Sequence, residues 1–218
     1  MLVISDFSKT FTAPDMPTTW SVFAKSWILG ESYSKDRDAL YDEYFHFEQE
    51  GNIEKTEEWF YRHAELFAKY NLSQSQIDQI VLDDRYFSPR DGVMEYIDYI
   101  KENNISLVIV TSGISQLVLA WFEKRFHYTP DLVFGNDLVL EDKMVTGVDI
   151  DSIITPLDKK IEMELDDVSE EVILVWDSKE DLSMVAISTK TFWFTDEEIG
   201  FDISLWKGGS MKDIISHL

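Results

Sequence analysis

Cysteine is absent from the 218 residues, which removes disulfides, zinc ribbons and thiol nucleophiles together. Basic residues are scarce: 19 Lys and Arg stand against 42 Asp and Glu, giving a net charge of −23. No Lys/Arg-rich run or basic helix face interrupts that acidity, so neither nucleic acid nor anionic membrane is an expected partner. An anionic ligand would have to be held locally, by a metal, a Lys and backbone amides. Glycine and proline are sparse, at 9 and 5, and form no flexible linker, low-complexity segment or repeat. No apolar stretch approaches the ~20 residues of a membrane span, and no cationic leader with a small-residue cleavage site opens the chain. A cytoplasmic location is the resulting expectation, and the sequons at Asn71 and Asn104 are read as chance matches. Walker loop, G-x-S-x-G elbow and dinucleotide glycine fingerprint are all missing, which argues against kinase, esterase and dehydrogenase chemistry. The four histidines (46, 63, 127 and 217) lack ligand spacing and are assigned to packing or surface.

A hydrophobic fraction of 44% over this length is enough to bury roughly 70% of the unfolded surface. Residues 2–5 read as a buried strand. From about Pro14 to Ser88 the pattern is helical and rich in aromatics: Trp20, Phe23 and Trp27 at helical spacing, Tyr41, Tyr44, Phe45 and Glu48 on one side of a second helix, a third helix over 57–70, and a fourth capped by Ser73. These aromatics are expected to pack helices against one another rather than to cage a base, with some of them touching substrate if the insert closes over the site. After Pro89 helix and strand alternate. Helices are expected over 92–103, 114–126, near 157–165, from 181 and from 211, and strands over 105–111, 132–134, 172–176 and 191–194. A small hairpin is expected at 138–140 and 144–148. Such alternation is the grammar of an α/β fold with a parallel sheet covered on both faces. The expected division is an α/β core from 1–14 and 89–218, with 15–88 as an all-helical cap inserted after the first strand.

In an open parallel sheet, ligands sit beyond the carboxyl ends of the strands. The first strand delivers Asp6, Ser8 and Thr10; the second Thr111, Ser112 and Gly113; a third Asp177 and, four residues on, Asp181. Lys159 and Lys160 precede that third strand. Carboxylates from two strands suit Mg²⁺, which takes oxygen ligands and keeps several waters. Asp6 and Asp177 are the chosen pair, with the backbone carbonyl of Ser8 as a third protein ligand. Ser112 and a Lys would hold the remaining phosphoryl oxygens. Each residue taken alone has a plainer reading: strand-end Asp is a common cap, Thr111 and Ser112 would serve only to cap the next helix, and both Lys, with their acidic neighbours, would form a surface helix pair. It is the joint placement that points to chemistry.

Three stretches together resemble the haloacid dehalogenase (HAD) superfamily of phosphotransferases: Asp6-Phe7-Ser8-Lys9-Thr10-Phe11-Thr12, Val108-Ile109-Val110-Thr111-Ser112-Gly113-Ile114, and Val175-Trp176-Asp177-Ser178-Lys179-Glu180-Asp181-Leu182. Their order and loop lengths are most similar to the pyrimidine 5′-nucleotidase and phosphoserine phosphatase branch. The resemblance implies a Rossmann-like three-layer core with a helical cap and a Mg²⁺-dependent phosphatase-like hydrolase. Asp6 would become an aspartyl phosphate, and Asp6, the Ser8 carbonyl and Asp177 would hold Mg²⁺. Ser112, Gly113 and Lys159 would bind the phosphoryl group, with Lys160 as the alternative Lys, and Asp181 would steady the Lys or the metal's water. The implied substrate is a small phosphorylated metabolite or a nucleotide monophosphate.

Two positions depart from the family pattern. Ser8 stands where family phosphatases carry the Asp that protonates the leaving oxygen and then activates water, so weakened turnover is expected. Trp176 stands where the family places Gly, either crowding the pocket or pointing into the sheet. The competing expectation is a catalytically impaired member that serves as a phosphate- or protein-binding module.

Overall fold

The computed structural model describes residues 1–157, 159, 171–179, 185, 187–195 and 203–218. Six strands form one parallel sheet: β1 (Leu2–Ser5), β2 (Ser106–Ile114), β3 (Leu132–Asn136), β6 (Val172–Trp176), β7 (Lys190–Phe194) and β8 (Ile203–Leu205), in the order β3-β2-β1-β6-β7-β8. Two further strands, β4 (Leu138–Glu141) and β5 (Met144–Val148), make the antiparallel hairpin expected from the sequence. β1 lies at the centre of the sheet, paired with β2 on one side and β6 on the other. A strand buried on both faces needs apolar side chains at every position. Leu-Val-Ile supplies them, with Val3 in one core cluster and Leu2 and Ile4 in the other.

Between β1 and β2 the chain is helical: α1 (Val22–Ser26), α2 (Gly30–Gln49), α3 (Ile53–Lys69), α4 (Gln74–Ile80) and α5 (Asp84–Phe87). Ser73 caps α4 as expected, in a reciprocal capping box with Gln76. α1 is shorter than the spacing of Trp20, Phe23 and Trp27 implies: Trp20 precedes it, and Trp27 ends it at φ 58° with 59% of its surface exposed. Trp20 is drawn off the helix by a hydrogen bond elsewhere, described below. The hairpin moors this helical stretch from the far side, Gln74 N–H donating to the Lys143 carbonyl at 2.9 Å and Val145 N–H to the Leu72 carbonyl at 2.8 Å.

α6 (Val93–Glu102), α7 (Ser115–Phe126) and α8 (Lys212–Ile215) complete the described helices. The helices expected near 157–165 and from 181 fall outside the described residues, as do Lys160 and Asp181. β8 has no counterpart in the sequence reading: three residues at the sheet edge carry too little alternation to register. β2 runs three residues further than expected, to Ile114, because its ladder with β3 shifts register between Val110 and Ile114. This irregularity carries Thr111, Ser112 and Gly113, and such bulges re-aim side chains at strand ends. Among the described residues no helix is long and apolar enough to cross a membrane.

Trp176 points into the sheet. It is fully buried in the cluster of Ile4, Val108, Val110 and Leu174, and stacks on Trp193, its register partner on β7, with centroids 4.7 Å apart and planes 9° apart. Strand alternation accounts for this, since Val172, Leu174 and Trp176 share one face.

Candidate active site

The register of the central strands places the acids. Ser5 pairs with Val175, so Asp6 leaves β1 level with Trp176, and Asp177 follows one step later on the adjacent strand. The two carboxylates meet at one hydroxyl: Thr10 Oγ1 lies 3.4 Å from Asp6 Oδ2 and 3.1 Å from Asp177 Oδ1. Lys159 closes the other side, its Nζ 2.8 Å from Asp6 Oδ1, with side chains only 4% and 5% exposed. Burial excludes the surface-helix reading of Lys159. A buried ion pair loses several kcal/mol per ion in hydration, and stability alone rarely justifies it.

A cavity of 460 Å³ opens above this group, lined by Asp6, Ser8, Ser112, Gly113, Lys159 and Asp177 from the sheet side. Thr111 and Ser112 do not cap α7, whose N-cap is Ile114 without any side-chain bond. Thr111 Oγ1 instead accepts from Gly113 N–H at 3.0 Å, inside the turn. The opposite wall comes from α2 and α3 and comprises Arg37, Tyr41, Phe45, Glu48, Trp59, Phe60 and His63, with Trp20 between the two sides. Tyr41 stacks on Phe45 at 4.5 Å and Trp20 on Phe60 at 4.9 Å. These aromatics pack the helices against one another as expected, and the same side chains face the cavity holding Asp6.

His63 is neutral. Burial pushes its pKa down to about 3, and the Arg37 charge acts in the same direction; its Nε2 lies 3.1 Å from the Tyr33 hydroxyl, itself pushed far up by burial. Unfolded His titrates near 6.5, so the unfolded chain binds a proton that the folded one refuses between those values. His63 therefore destabilises the fold progressively as pH falls from about 6.5 toward 3, by up to ~1.4 kcal/mol per pH unit. Melting curves between pH 7 and 5 should show a shallower loss in His63→Gln than in wild type; equal slopes would show that His63 protonates freely.

Three contributors went unnoticed in the sequence. Arg90, 3% exposed, donates from Nε to the Thr10 carbonyl at 2.8 Å and from Nη1 to the carbonyls of Lys207 at 2.6 Å and Gly209 at 3.1 Å. Its Nη2 donates to the Lys9 carbonyl, and the guanidinium lies 3.9 Å from the Phe194 centroid. Burial brings its pKa down to about 10, partly offset by the Asp177 charge. This one side chain holds the loop after Asp6, where Lys9 adopts φ 63°, an arrangement costing a non-Gly residue roughly 1–2 kcal/mol. Arg90→Met leaves those carbonyls without their donors and should cost about 3 kcal/mol or more, read by urea unfolding. Arg90→Lys should recover little of it, since an ammonium cannot reproduce the planar fork. Asn136 and the indole N–H of Trp20 are the other two, both bonded to the Ser112 carbonyl. Lone Arg and Asn residues carry no spacing signal, and the helical spacing of Trp20 says nothing of this role; only convergence on main-chain carbonyls reveals the three.

The donor set around Asp6 suits a hard cation. Two carboxylates that share the Thr10 hydroxyl suit the all-oxygen, partly hydrated coordination of Mg²⁺. Among the described residues no group of three or more His, Cys, Asp or Glu could hold a metal ion by itself.

The model of the pyrimidine 5′-nucleotidase (UMPH-1) family matches residues 3–191. The chain belongs to that family. Its fold is the HAD fold: cytosolic 5′-nucleotidase IIIB bound to cytidine superposes with a TM-score of 0.80 at 22% identity, over 99% of this chain and 84% of that one. A substrate-bound phosphoserine phosphatase superposes with a TM-score of 0.66 at 18% identity, over 100% and 97% of the two chains. In sequence, the chain is 24% identical over 160 residues to a 7-methylguanosine phosphate-specific 5′-nucleotidase of Drosophila melanogaster. That match takes in 67% of this chain and spans 50% of the relative's length.

Proposed function

We propose that the protein is a phosphoric monoester hydrolase that removes phosphate from a nucleoside 5′-monophosphate or a similar small phosphomonoester. The observation that carries this reading is the convergence of Thr10, Asp177 and Lys159 on Asp6 beneath a cavity whose far wall is aromatic. The family match and the nucleotidase names among its relatives support it.

In this reading an Asp6 carboxylate oxygen attacks phosphorus. The new O–P bond forms as the ester P–O bond breaks, giving an aspartyl phosphate and an alcohol. Water then attacks phosphorus, returning Asp6 and releasing inorganic phosphate. Lys159 and Ser112 grip the phosphoryl oxygens as charge builds on them, and the Gly113 N–H would join them by leaving Thr111 Oγ1. Thr10 holds Asp6 and Asp177 in mutual orientation. Asp6, Asp177 and the Ser8 carbonyl would hold Mg²⁺, which would supply Lewis-acid screening between the anionic nucleophile and the phosphoryl group. Residues 15–88 act as the cap, presenting Tyr41, Phe45, Trp59 and Phe60 to the flat base of a nucleoside.

Ser8 supports a second reading. The leaving oxygen needs a proton and the incoming water a base, and a Ser hydroxyl is poorly suited to either task. Slow turnover follows, and in the limit a module that binds phosphoryl ligands without releasing them. A substrate panel with Mg²⁺ separates the two: cytidine, uridine, guanosine and 7-methylguanosine 5′-monophosphates beside phosphoserine and an aryl phosphate. Hydrolysis that favours nucleotides and stops on chelation is expected. Binding of the nucleotides with no phosphate released would favour the module, and a preference for phosphoserine would overturn the nucleotide assignment.

A further inference from the structure

We infer that Trp20 is a positioning residue that makes the helical segment part of the phosphoryl-binding machinery, through a hydrogen bond to the Ser112 carbonyl. This rests on the assignment of Ser112 to the phosphoryl group. Trp20 Nε1–H donates to that carbonyl at 2.8 Å, and Asn136 Nδ2 donates to it at 2.9 Å from the other side. A carbonyl with both lone pairs engaged fixes the plane of its peptide. The rest of the turn is pinned in the same way: Asn136 also reaches the Gly113 carbonyl at 3.2 Å, and Ile114 N–H donates to Thr19 Oγ1 at 2.9 Å. The Thr19-Trp20 pair sits so close that a Cβ at Gly113 would stand 2.6 Å from Thr19 Oγ1. A glycine is thus required at 113 for the approach to the helical segment, a role beyond the shape of the turn itself.

The other end of the Trp20 side chain belongs to the cavity's aromatic wall. Its ring lies parallel to Phe67, at 7° and 5.8 Å, and packs on Phe60 and His63 from α3. One rigid indole therefore touches the compartment assigned to the base with its face and the phosphate loop with its N–H. Displacement of α3 moves Ser112, and an ordered aromatic wall orders the loop.

The discriminating variant is Trp20→Phe, which keeps an aromatic ring and removes the donor. Inorganic phosphate is the probe, because it is too small to reach the aromatic wall, and its dissociation constant is measured by calorimetry with Mg²⁺ on the full chain. Trp20→Phe should weaken phosphate binding about five- to tenfold, and in the Ser112→Ala background it should add less than twofold. Thr19→Val, which removes the other bond from this segment to the turn, should weaken binding in the same direction and serves as the test if Trp20→Phe fails to fold. Wild-type affinity in Trp20→Phe and Thr19→Val, with weakened affinity in Ser112→Ala, overturns the inference and leaves the site intact. Wild-type affinity in Ser112→Ala overturns the Ser112 assignment itself.

Discussion

Asp6→Asn should abolish phosphate release, lowering kcat by roughly 10³-fold or more, the scale seen when a covalent nucleophile is removed from an enzyme. An amide is a poor nucleophile toward phosphorus and a weaker ligand for Mg²⁺, so chemistry and metal binding fail together. The variant should also be less stable, for a separate reason. Lys159 Nζ lies 2.8 Å from Asp6 Oδ1 at 4% side-chain exposure, and neutralising Asp6 weakens the charge compensation of a buried ammonium, at a cost of up to about 3–5 kcal/mol. The double variant Asp6→Asn/Lys159→Met removes that burden. It should recover most of the lost stability in urea unfolding while remaining inactive. Recovery of activity would place the nucleophile elsewhere, and failure to recover stability would mean that Lys159 answers to other groups besides Asp6.

Ser8→Asp should act in the opposite direction, raising kcat by about 10²- to 10⁴-fold, the usual contribution of a positioned general acid and base. Ser8 lines the cavity two residues beyond Asp6, in the turn whose amides at 10, 11 and 12 all point to the Phe7 carbonyl. In the proposed mechanism the side chain at this position is the part that would supply the acid and base. Pre-steady-state kinetics give the sharper form of the test: release of the alcohol and hydrolysis of the aspartyl phosphate should both accelerate. An unchanged rate would mean that another group already serves as the acid and base, or that chemistry does not limit turnover.

The strands that build the site were legible because parallel strands buried on both faces have no polar positions. Leu2-Val3-Ile4 and Val172 to Trp176 read as strands for that reason, and Asp6 and Asp177 then followed as the first carboxylates past their ends. The choice of Lys159 came from family spacing, while its burial against Asp6 came from the structure. Trp176 was ambiguous because a side chain at a strand end faces the sheet or the ligand according to register, which only the pairing with Trp193 settles. The aromatics of α2 and α3 were legible only as packing residues for a related reason. Helical spacing reports that a face is buried, without saying whether a neighbouring helix or a cavity covers it. Trp20 broke the pattern outright, since its bond to Ser112 crosses 92 residues of sequence. Arg90 had no signal at all: four carbonyls from two distant segments define its place, and no local motif encodes such a meeting.

The central claim is that Asp6, Asp177, Lys159 and Ser112 form a single phosphoryl site, and ligand-induced stabilisation reads it independently of turnover. Beryllofluoride with Mg²⁺ mimics a phosphoryl group bound to a carboxylate, and a ligand that binds only the folded state raises the melting temperature in proportion to its affinity and concentration. Wild type should gain several degrees when both components are present and nothing when either is omitted, with the gain lost in Asp6→Asn and in Asp177→Asn. A wild type unmoved by the pair, or an Asp6→Asn protein stabilised as fully as wild type, would contradict the account.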